Sequence, residues 1–188
     1  MAREVEAKAR CGDLDAVRAK VAGLGGRMIH SGFERNFVYD KADGSLAAND
    51  SLLRLRKYDR VTLTYKGPRQ GRGDRVKSRT EIEVEVADAD GADELLRALG
   101  FVRAWVYEKM REEWVIGTTK ICLDVLPRIG DFVEVEGASR DEVTGVLEKL
   151  GIALGDVTPQ TYREVFREFM SGADDGLPDL VFEGEEAR

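Results

Sequence analysis

The first residues of the chain alternate charged side chains with small apolar ones. In a strand, Glu4, Glu6 and Lys8 would lie on one face and Val5 and Ala7 on the other. Taken alone, such a stretch is typical of a half-buried strand whose polar face is in water. Its meaning therefore depends on whether other strands present matching faces.

Seven further segments have the alternation or the apolar runs of strands. They cover residues 33–40, 51–57, 61–67, 79–86, 105–116, 120–126 and 131–137. Short connections at 58–60 and 117–119 predict antiparallel hairpins. Four amphipathic helices are predicted between and after them, beginning at the cap Asp13, near Asp93, at the cap Ser139 and near Pro159. The sequence therefore predicts an α+β protein with a mainly antiparallel sheet.

The two faces of the predicted strands differ in chemistry. One face is apolar, and four helices are enough to cover it; it holds Val5, Ala7, Val61, Leu63, Tyr65, Ile82, Val84, Val86, Ile121, Leu123, Val125, Val133 and Val135. The other face carries both charge signs on nearly every strand, through Glu4, Glu6, Lys8, Arg10, Arg54, Arg56, Lys66, Arg79, Glu81, Glu83, Glu85, Lys109, Arg111, Glu113, Asp124, Glu134 and Glu136.

Two architectures satisfy this division. One is an open sheet with helices on its apolar face and water on the other, which is the commoner arrangement. The other is a closed eight-stranded barrel with the charged face inward. Because unpartnered charges are costly to bury, the interior of such a barrel must be wet and must hold a charged ligand.

The charged face indicates what that ligand would be. Arginines recur at alternate positions in Arg54 and Arg56, and Lys109 is followed in the same way by Arg111. Planar guanidinium groups at this spacing suit phosphate oxygens. Alternating glutamates would supply carboxylate oxygens to Mg²⁺ or Mn²⁺, which prefer a few carboxylates together with substrate phosphates. The combination indicates a metal-bound triphosphate.

Composition narrows the class of protein further. With 188 residues, 43% of them apolar and 35% charged, the chain is long enough for one globular domain with a real core. The single histidine, His30, and the two cysteines, Cys11 and Cys122, fit no metal or redox spacing, and a reduced, cytoplasmic compartment is predicted. No apolar run approaches the length of a membrane span. The net charge of −7 argues against a nucleic-acid partner.

Two segments stand apart from the predicted domain over residues 1–170. The end of the chain, 171–188, is rich in aspartate, glutamate and glycine and is predicted to be a flexible acidic tail. The segment from Pro68 to Ser78 is Gly-rich and carries Arg69, Arg72, Arg75 and Lys77. It is interpreted either as a solvated hairpin loop or as a mobile basic lid over a binding site.

These motifs, in this order, resemble the CYTH family, which includes class IV adenylyl cyclases and thiamine triphosphatases. The family's E-x-E-x-K signature corresponds to Glu4, Glu6 and Lys8. The likeness runs over about residues 3–170 and continues through Leu53 to Arg56, Leu63 to Pro68, Arg79, Glu81, Glu83, Lys109, Arg111, Asp124 to Pro127, Gly130, Phe132, Glu134 and Glu136. The Tyr-Lys-Gly-Pro segment and Thr161, Tyr162 and Arg163 resemble the cyclase branch. Glu34 and Asn36 depart from that branch's Gln-x-Asp or Gln-x-Asn pattern, which leaves the base and ribose contacts open.

The resemblance implies a closed antiparallel barrel, the triphosphate tunnel, with helices outside and a divalent-metal-dependent reaction within. The residues implied to bind phosphate are Lys8, Arg54, Arg56, Lys66, Arg79, Lys109 and Arg111. The residues implied to bind Mg²⁺ or Mn²⁺ are Glu4, Glu6, Glu134 and Glu136, with Glu81, Glu83 and Asp124 as further candidates. Lys8, Glu6 and Glu136 are the expected catalytic residues. A homodimer is also implied.

Three functions fit this reading. An adenylyl cyclase would convert ATP into 3′,5′-cyclic AMP and pyrophosphate. A triphosphatase would use the same tunnel to hydrolyse tripolyphosphate, thiamine triphosphate or a nucleotide. A non-catalytic module would only bind nucleotide or polyphosphate. His30 is interpreted as a structural residue or a substrate contact, whereas Tyr39, Tyr65, Tyr107 and the cysteines are interpreted as structural.

Overall fold

The computed structural model describes residues 2–70, 74–170 and 176–184. Within these ranges the strands are β1 (Ala2–Cys11), β2 (Arg27–Lys41), β3 (Leu52–Lys57), β4 (Val61–Lys66), β5 (Lys77–Glu85), β6 (Phe101–Ile116), β7 (Thr119–Leu126), β8 (Gly130–Gly137) and β9 (Val157–Thr158). The α-helices are α1 (Leu14–Gly23), α2 (Ser45–Ala48), α3 (Ala89–Ala98), α4 (Arg140–Leu150) and α5 (Tyr162–Phe169). None of these helices is both long enough and apolar enough to cross a membrane.

Eight antiparallel strands close into a barrel. Their order is β5-β4-β3-β2-β6-β7-β8-β1, and β1 also pairs with β5, which joins the two ends of the sheet. In the closing register Glu4 lies opposite Arg79, and on the other side of β1 Lys8 lies opposite Glu134. The short strand β9 pairs with β1 outside this closed set. The closed barrel is therefore confirmed, and the open sheet is excluded.

Two of the three hydrophobic clusters lie outside the barrel, between its wall and the helices. Helices α1 and α4 pack Val17, Val21, Val143 and Leu147 against the outer face of β1, β7 and β8. A second cluster forms around α5, whose Phe166 stacks on the inward-facing Trp105 of β6. A third cluster joins α3 to β2 and β3. Because apolar side chains are accommodated on the outside, the alternate positions of each strand turn into the barrel.

The helix boundaries follow local capping chemistry, partly as predicted. Asp13 accepts a hydrogen bond from the amide of Ala16, and Ser139 accepts one from the amide of Glu142, so both predicted caps are confirmed. Helix α3 begins at Ala89, earlier than predicted, because Asp88 provides its cap. The last helix begins at Tyr162 instead of near Pro159, because Thr161 and Glu164 form a capping box there.

One expectation about the outer face is wrong. The apolar side chains Tyr65, Ile82 and Val84 were expected to be covered by helices, yet they are 37%, 43% and 50% exposed. Val61 and Leu63 of β4 do pack against the cluster that contains α3, so only part of the outer face of β4 and β5 is exposed.

The loop and the tail also differ from expectation. Arg69 and Arg75 bond to Pro159 and Val157 carbonyl oxygens, and Lys77 lies on β5, whereas Arg72 lies outside the described residues. Residues 176–184 do not form a loose tail, because they lie against β6 with Leu180 fully buried. The rest of the predicted tail, 171–175 and 185–188, lies outside the described residues.

Candidate active site

The barrel encloses a cavity of about 400 Å³ that opens to the surface, a size suited to one small ligand. Its lining contains eleven basic side chains: Arg3, Lys8, Arg54, Arg56, Lys66, Lys77, Arg79, Lys109, Lys120, Arg111 and Arg163. Six glutamates also line it: Glu4, Glu6, Glu81, Glu83, Glu134 and Glu136. The uncharged lining consists of Leu52, Trp105, Tyr107, Thr161 and Tyr162. The excess of positive charge favours an anionic ligand.

All seven predicted phosphate-binding residues lie in this lining, and six of the seven predicted metal ligands do as well. The alternation of strand side chains brings them together. On β6, for example, Trp105, Tyr107, Lys109 and Arg111 occupy successive inward positions. The structure thus assembles residues that are far apart in sequence around one space.

Every glutamate in the lining is held by a basic side chain. Lys8 lies 3.1 Å from Glu134, Lys77 lies 2.9 Å from Glu6, and Lys120 lies 2.8 Å from Glu136. Lys66 bonds to Glu4 and lies 3.6 Å from Glu81, and Arg56 lies 3.4 Å from Glu83. These pairs offset the cost of burying so many charges.

Four buried polar atoms of the lining have no hydrogen-bond partner among the described residues. Three are donors, the Nε atoms of Arg54, Arg79 and Arg163, and the fourth is an acceptor, Oε2 of Glu4. Buried polar atoms are usually satisfied, and orphaned ones require an explanation such as a ligand. Donors of this kind suit an anionic oxygen, and the carboxylate oxygen suits a cation.

Asp124 occupies a different position from the other acidic candidates. It is fully buried and absent from the cavity lining. Its carboxylate accepts hydrogen bonds from Lys109 at 3.0 Å, from Arg111 at 2.6 Å and from the Tyr162 hydroxyl at 2.7 Å. The structure therefore places Asp124 beneath the side chains of Lys109, Arg111 and Tyr162, where it orients two cations that face the ligand space.

The protonation of the β1 residues is set by burial and by neighbouring charges. Burial and the charge of Glu6 raise the pKa of Glu4 to about 7, against the opposing effect of Lys66. Burial acts in the same direction on Glu6, but Lys77 and Lys66 outweigh it and hold the pKa of that carboxyl well below its usual range. Burial lowers the pKa of Lys8 to about 8, although Glu134 opposes this shift. Lys8 can therefore exchange a proton near neutral pH.

Several cavity residues were missed from the sequence. The sequence pattern places Lys77 in a loop, but β5 begins two residues earlier than predicted, and Lys77 shares the inward parity of Arg79. Lys120 shares the parity of Asp124 in the same way. Arg163 lies on α5, so no strand alternation could have indicated it. For Lys77 and Lys120, the alternation of side chains along the strand would have indicated that they face the cavity.

Other candidate residues lie apart from the cavity. Among the described residues, no three histidine, cysteine or acidic side chains are arranged to hold a metal ion. The His30 ring packs edge-on against Tyr58 with 4.4 Å between centroids and is absent from the lining, which favours the structural interpretation. Burial raises the pKa of the Cys122 thiol to about 12, consistent with an inert core residue.

An eight-stranded barrel with a charged interior and helices outside defines a class of protein, the triphosphate tunnel fold. The sequence profile of the CYTH domain matches residues 2–162, and the chain belongs to this family. The predicted family is confirmed.

Relatives agree with this assignment. The chain is 27% identical to the adenylate cyclase CyaB of Aeromonas hydrophila over 188 residues, covering 93% of this chain and 94% of that protein. It superimposes on a protein of Pyrococcus horikoshii with a TM-score of 0.72, at 29% identity, covering 88% of this chain and 98% of the other. A Hippeastrum protein named after an adenylyl cyclase, with a dominant triphosphatase activity, has the same fold at a TM-score of 0.67 and 21% identity, covering 88% and 95% of the two chains.

Proposed function

We propose that this protein is a divalent-metal-dependent enzyme that acts on a triphosphate inside the barrel, and specifically that it is an adenylyl cyclase. The observation that carries the proposal is the set of three buried, unpartnered Nε donors, of Arg54, Arg79 and Arg163, in a cavity lined mainly by cations. Such donors match phosphate oxygens in charge and geometry. The full-length likeness to a relative named adenylate cyclase supports ATP as the substrate.

The glutamates of the lining are the ligand type that Mg²⁺ and Mn²⁺ prefer, but no three of the described acidic side chains converge on one point, so a cation would have to displace their lysine and arginine partners. The buried oxygen Oε2 of Glu4 lacks a partner among the described residues, and Glu6, Glu134 and Glu136 line the same cavity. We propose these four as the residues that hold Mg²⁺ or Mn²⁺, with Glu81 and Glu83 as further donors. A bound cation would lower the pKa of the attacking hydroxyl and offset phosphate charge. Asp124 is not included, because Lys109, Arg111 and Tyr162 already occupy its oxygens.

In the proposed reaction the ribose 3′ oxygen attacks the α-phosphorus of ATP. A bond forms between these two atoms, the bond from the α-phosphorus to the bridging oxygen breaks, and pyrophosphate leaves. Lys66, Arg54 and Arg79 would hold the phosphates and take up the charge that develops on pyrophosphate. The 3′ hydroxyl loses its proton in this step, and Lys8, whose pKa burial lowers to about 8, would accept it at Nζ.

Product analysis tests this proposal directly. Purified protein is incubated with ATP and Mg²⁺ or Mn²⁺, and the nucleotides are separated by chromatography while phosphorus NMR identifies the inorganic product. Cyclic AMP with pyrophosphate is expected, and chelation of the metal should abolish it. Lys8→Ala and Glu6→Gln should lower turnover by about 100-fold or more, whereas the exposed α4 variant Glu148→Gln should not.

Hydrolysis is the second candidate, because the same fold carries a triphosphatase activity in the Hippeastrum protein. Water would then attack the terminal phosphorus, and orthophosphate would appear without a cyclic product. That outcome would show that the protein is a triphosphatase and not an adenylyl cyclase. Tight binding without any turnover would instead indicate a non-catalytic module.

A further inference from the structure

Residues 176–184, named the strap here, form part of the barrel wall beside β6. The Leu180 amide donates to the Val106 carbonyl at 2.9 Å, and the Leu180 carbonyl accepts from the Glu108 amide at 2.8 Å. The Asp179 carboxylate accepts from the Val106 amide at 2.8 Å. These bonds add the strap to β6 in a parallel direction. The strap lies beyond residue 162, where the match to the CYTH domain ends.

The strap pairs with the part of β6 that β7 does not reach. β7 pairs with β6 only from Met110 to Ile116, so the first part of β6 lacks that partner. There the Leu180 side chain is fully buried in the cluster that contains Trp105 and Tyr107. The strap therefore packs Leu180 against the cluster that carries the aromatic lining residues of this stretch of β6.

That stretch of β6 is aromatic. Along the inner face of β6, Trp105 and Tyr107 precede Lys109 and Arg111, so one strand presents two aromatic and then two cationic positions. Trp105 and Lys109 are about 13 Å apart along an extended strand. The Trp105 and Tyr107 rings are stacked with 5.0 Å between centroids.

Two further contacts define this end of the cavity. Leu52 lines it and packs against the same cluster. The indole Nε1 of Trp105 donates to the Pro178 carbonyl of the strap at 3.0 Å. The strap thus fixes the orientation of the indole ring as well as the backbone that carries it.

We propose that this aromatic end of the cavity, which meets the phosphate-binding part where Arg54 donates to the Tyr107 hydroxyl at 3.3 Å, binds the base of a nucleoside triphosphate, and that the strap positions Trp105 and Tyr107 for it. The inference rests on the proposed function, because it assumes that the cationic end holds the phosphates. A nucleobase gains from burial against aromatic and apolar side chains. Inorganic tripolyphosphate has no apolar part and gains nothing there. Trp105 and Tyr107 are then specificity residues, and Leu180 is a positioning residue.

The test compares two ligands by titration calorimetry in the presence of Mg²⁺: a non-hydrolysable ATP analogue and inorganic tripolyphosphate. Trp105→Ala and Leu180→Ala should each weaken binding of the analogue by about tenfold and leave tripolyphosphate affinity unchanged. Trp105→Phe, which keeps an aromatic ring, should restore most of the loss. Val181→Ala, a change at the neighbouring strap residue, should behave as wild type. Retained tripolyphosphate binding also shows that each variant is folded.

Other outcomes of the two titrations would overturn the inference. Equal losses for both ligands, or none for either, would overturn the inference and leave the strap with a structural role only. If Leu180→Ala does not fold, Asp179→Ala takes its place, because it removes one strap hydrogen bond. This variant must then weaken binding of the ATP analogue relative to binding of tripolyphosphate. A wild-type protein that binds the two ligands equally would refute the base site alone. A protein that binds neither would refute the proposed function too.

Discussion

The ammonium group of Lys8 lies 3.5 Å from the centre of the Tyr162 ring. The hydroxyl of the same tyrosine donates to Asp124 at 2.7 Å. One α5 residue therefore contacts a cation of the cavity with its ring and, with its hydroxyl, the carboxylate that orients two further cations. The ring face offsets part of the dehydration of Lys8, whose pKa burial still lowers to about 8.

Substitution at Tyr162 should separate these two contacts. Tyr162→Phe keeps the ring below Lys8 and should leave tripolyphosphate affinity within about twofold, at a stability cost of about 1 kcal/mol for the lost hydrogen bond. Tyr162→Leu also removes the cation–π contact, so affinity should fall by about fivefold more. Calorimetric titration and denaturant unfolding measure the two effects. Identical affinities of the two variants would show that the ring does not support Lys8.

Arg54 should be among the residues most sensitive to change in anion binding. Its buried Nε atom has no partner among the described residues, so a bound phosphate would gain a charge-assisted hydrogen bond from it. Arg54→Ala should lower tripolyphosphate affinity by about 10- to 100-fold. Arg54→Lys should recover little, because an ammonium group lacks the planar fork. The exposed Arg60→Ala provides the control, and equal effects of Arg54→Ala and Arg60→Ala would contradict the assignment.

Asp124 and Glu6 should respond differently to neutralisation. Asp124→Asn leaves Lys109 and Arg111 without their shared carboxylate and should destabilise the protein by about 3–5 kcal/mol. At temperatures where the variant remains folded, its Mn²⁺ affinity, followed by electron paramagnetic resonance, should be close to that of wild type. Glu6→Gln should instead weaken Mn²⁺ binding. If Asp124→Asn lost Mn²⁺ binding to the same degree, Asp124 would be a metal ligand after all.

Glu34 should make stability depend on pH on the acid side. Burial opposes its ionisation, but Lys109 and Arg111 outweigh that effect and lower the pKa of Glu34 from 4.5 to about 2. Its charge therefore stabilises the fold above about pH 4.5, and this contribution is lost as the pH falls towards 2. The stability difference between wild type and Glu34→Gln should shrink by about 2 kcal/mol between neutral pH and about pH 3. Urea unfolding measures it, and the exposed Glu85→Gln should show no such trend.

Local rules account for much of what the sequence revealed. Because side chains alternate along a strand, parity alone sorted Arg54, Arg56, Lys109 and Arg111 onto one face, and all four line the cavity. Capping chemistry likewise located Asp13 and Ser139. Strand parity could not distinguish an open sheet from a closed barrel, because the pairing of β1 with β5 that closes the barrel joins distant parts of the chain. The resemblance to the family predicted that closure.

The remaining features depend on contacts that no local pattern encodes. Arg163 reaches the cavity because Phe166 and Val165 dock α5 on the barrel. Asp124 has the same parity as Lys120, but it does not line the cavity, because Arg111 and Tyr162 bond to its carboxylate and cover it. The strap was unrecognised because its composition is that of a disordered tail, whereas a missing strand neighbour decides its place.

The pairing of each cavity glutamate with a lysine or arginine means that the barrel interior carries its own counterions. A bare polyphosphate would have to displace carboxylates, and a bare divalent cation would have to displace ammonium groups. Under the proposed function, a preformed metal–triphosphate complex would exchange partners with both at once, cation to carboxylate and phosphate to guanidinium. The interior would then act as an ion exchanger that selects ligands whose charges are already neutralised.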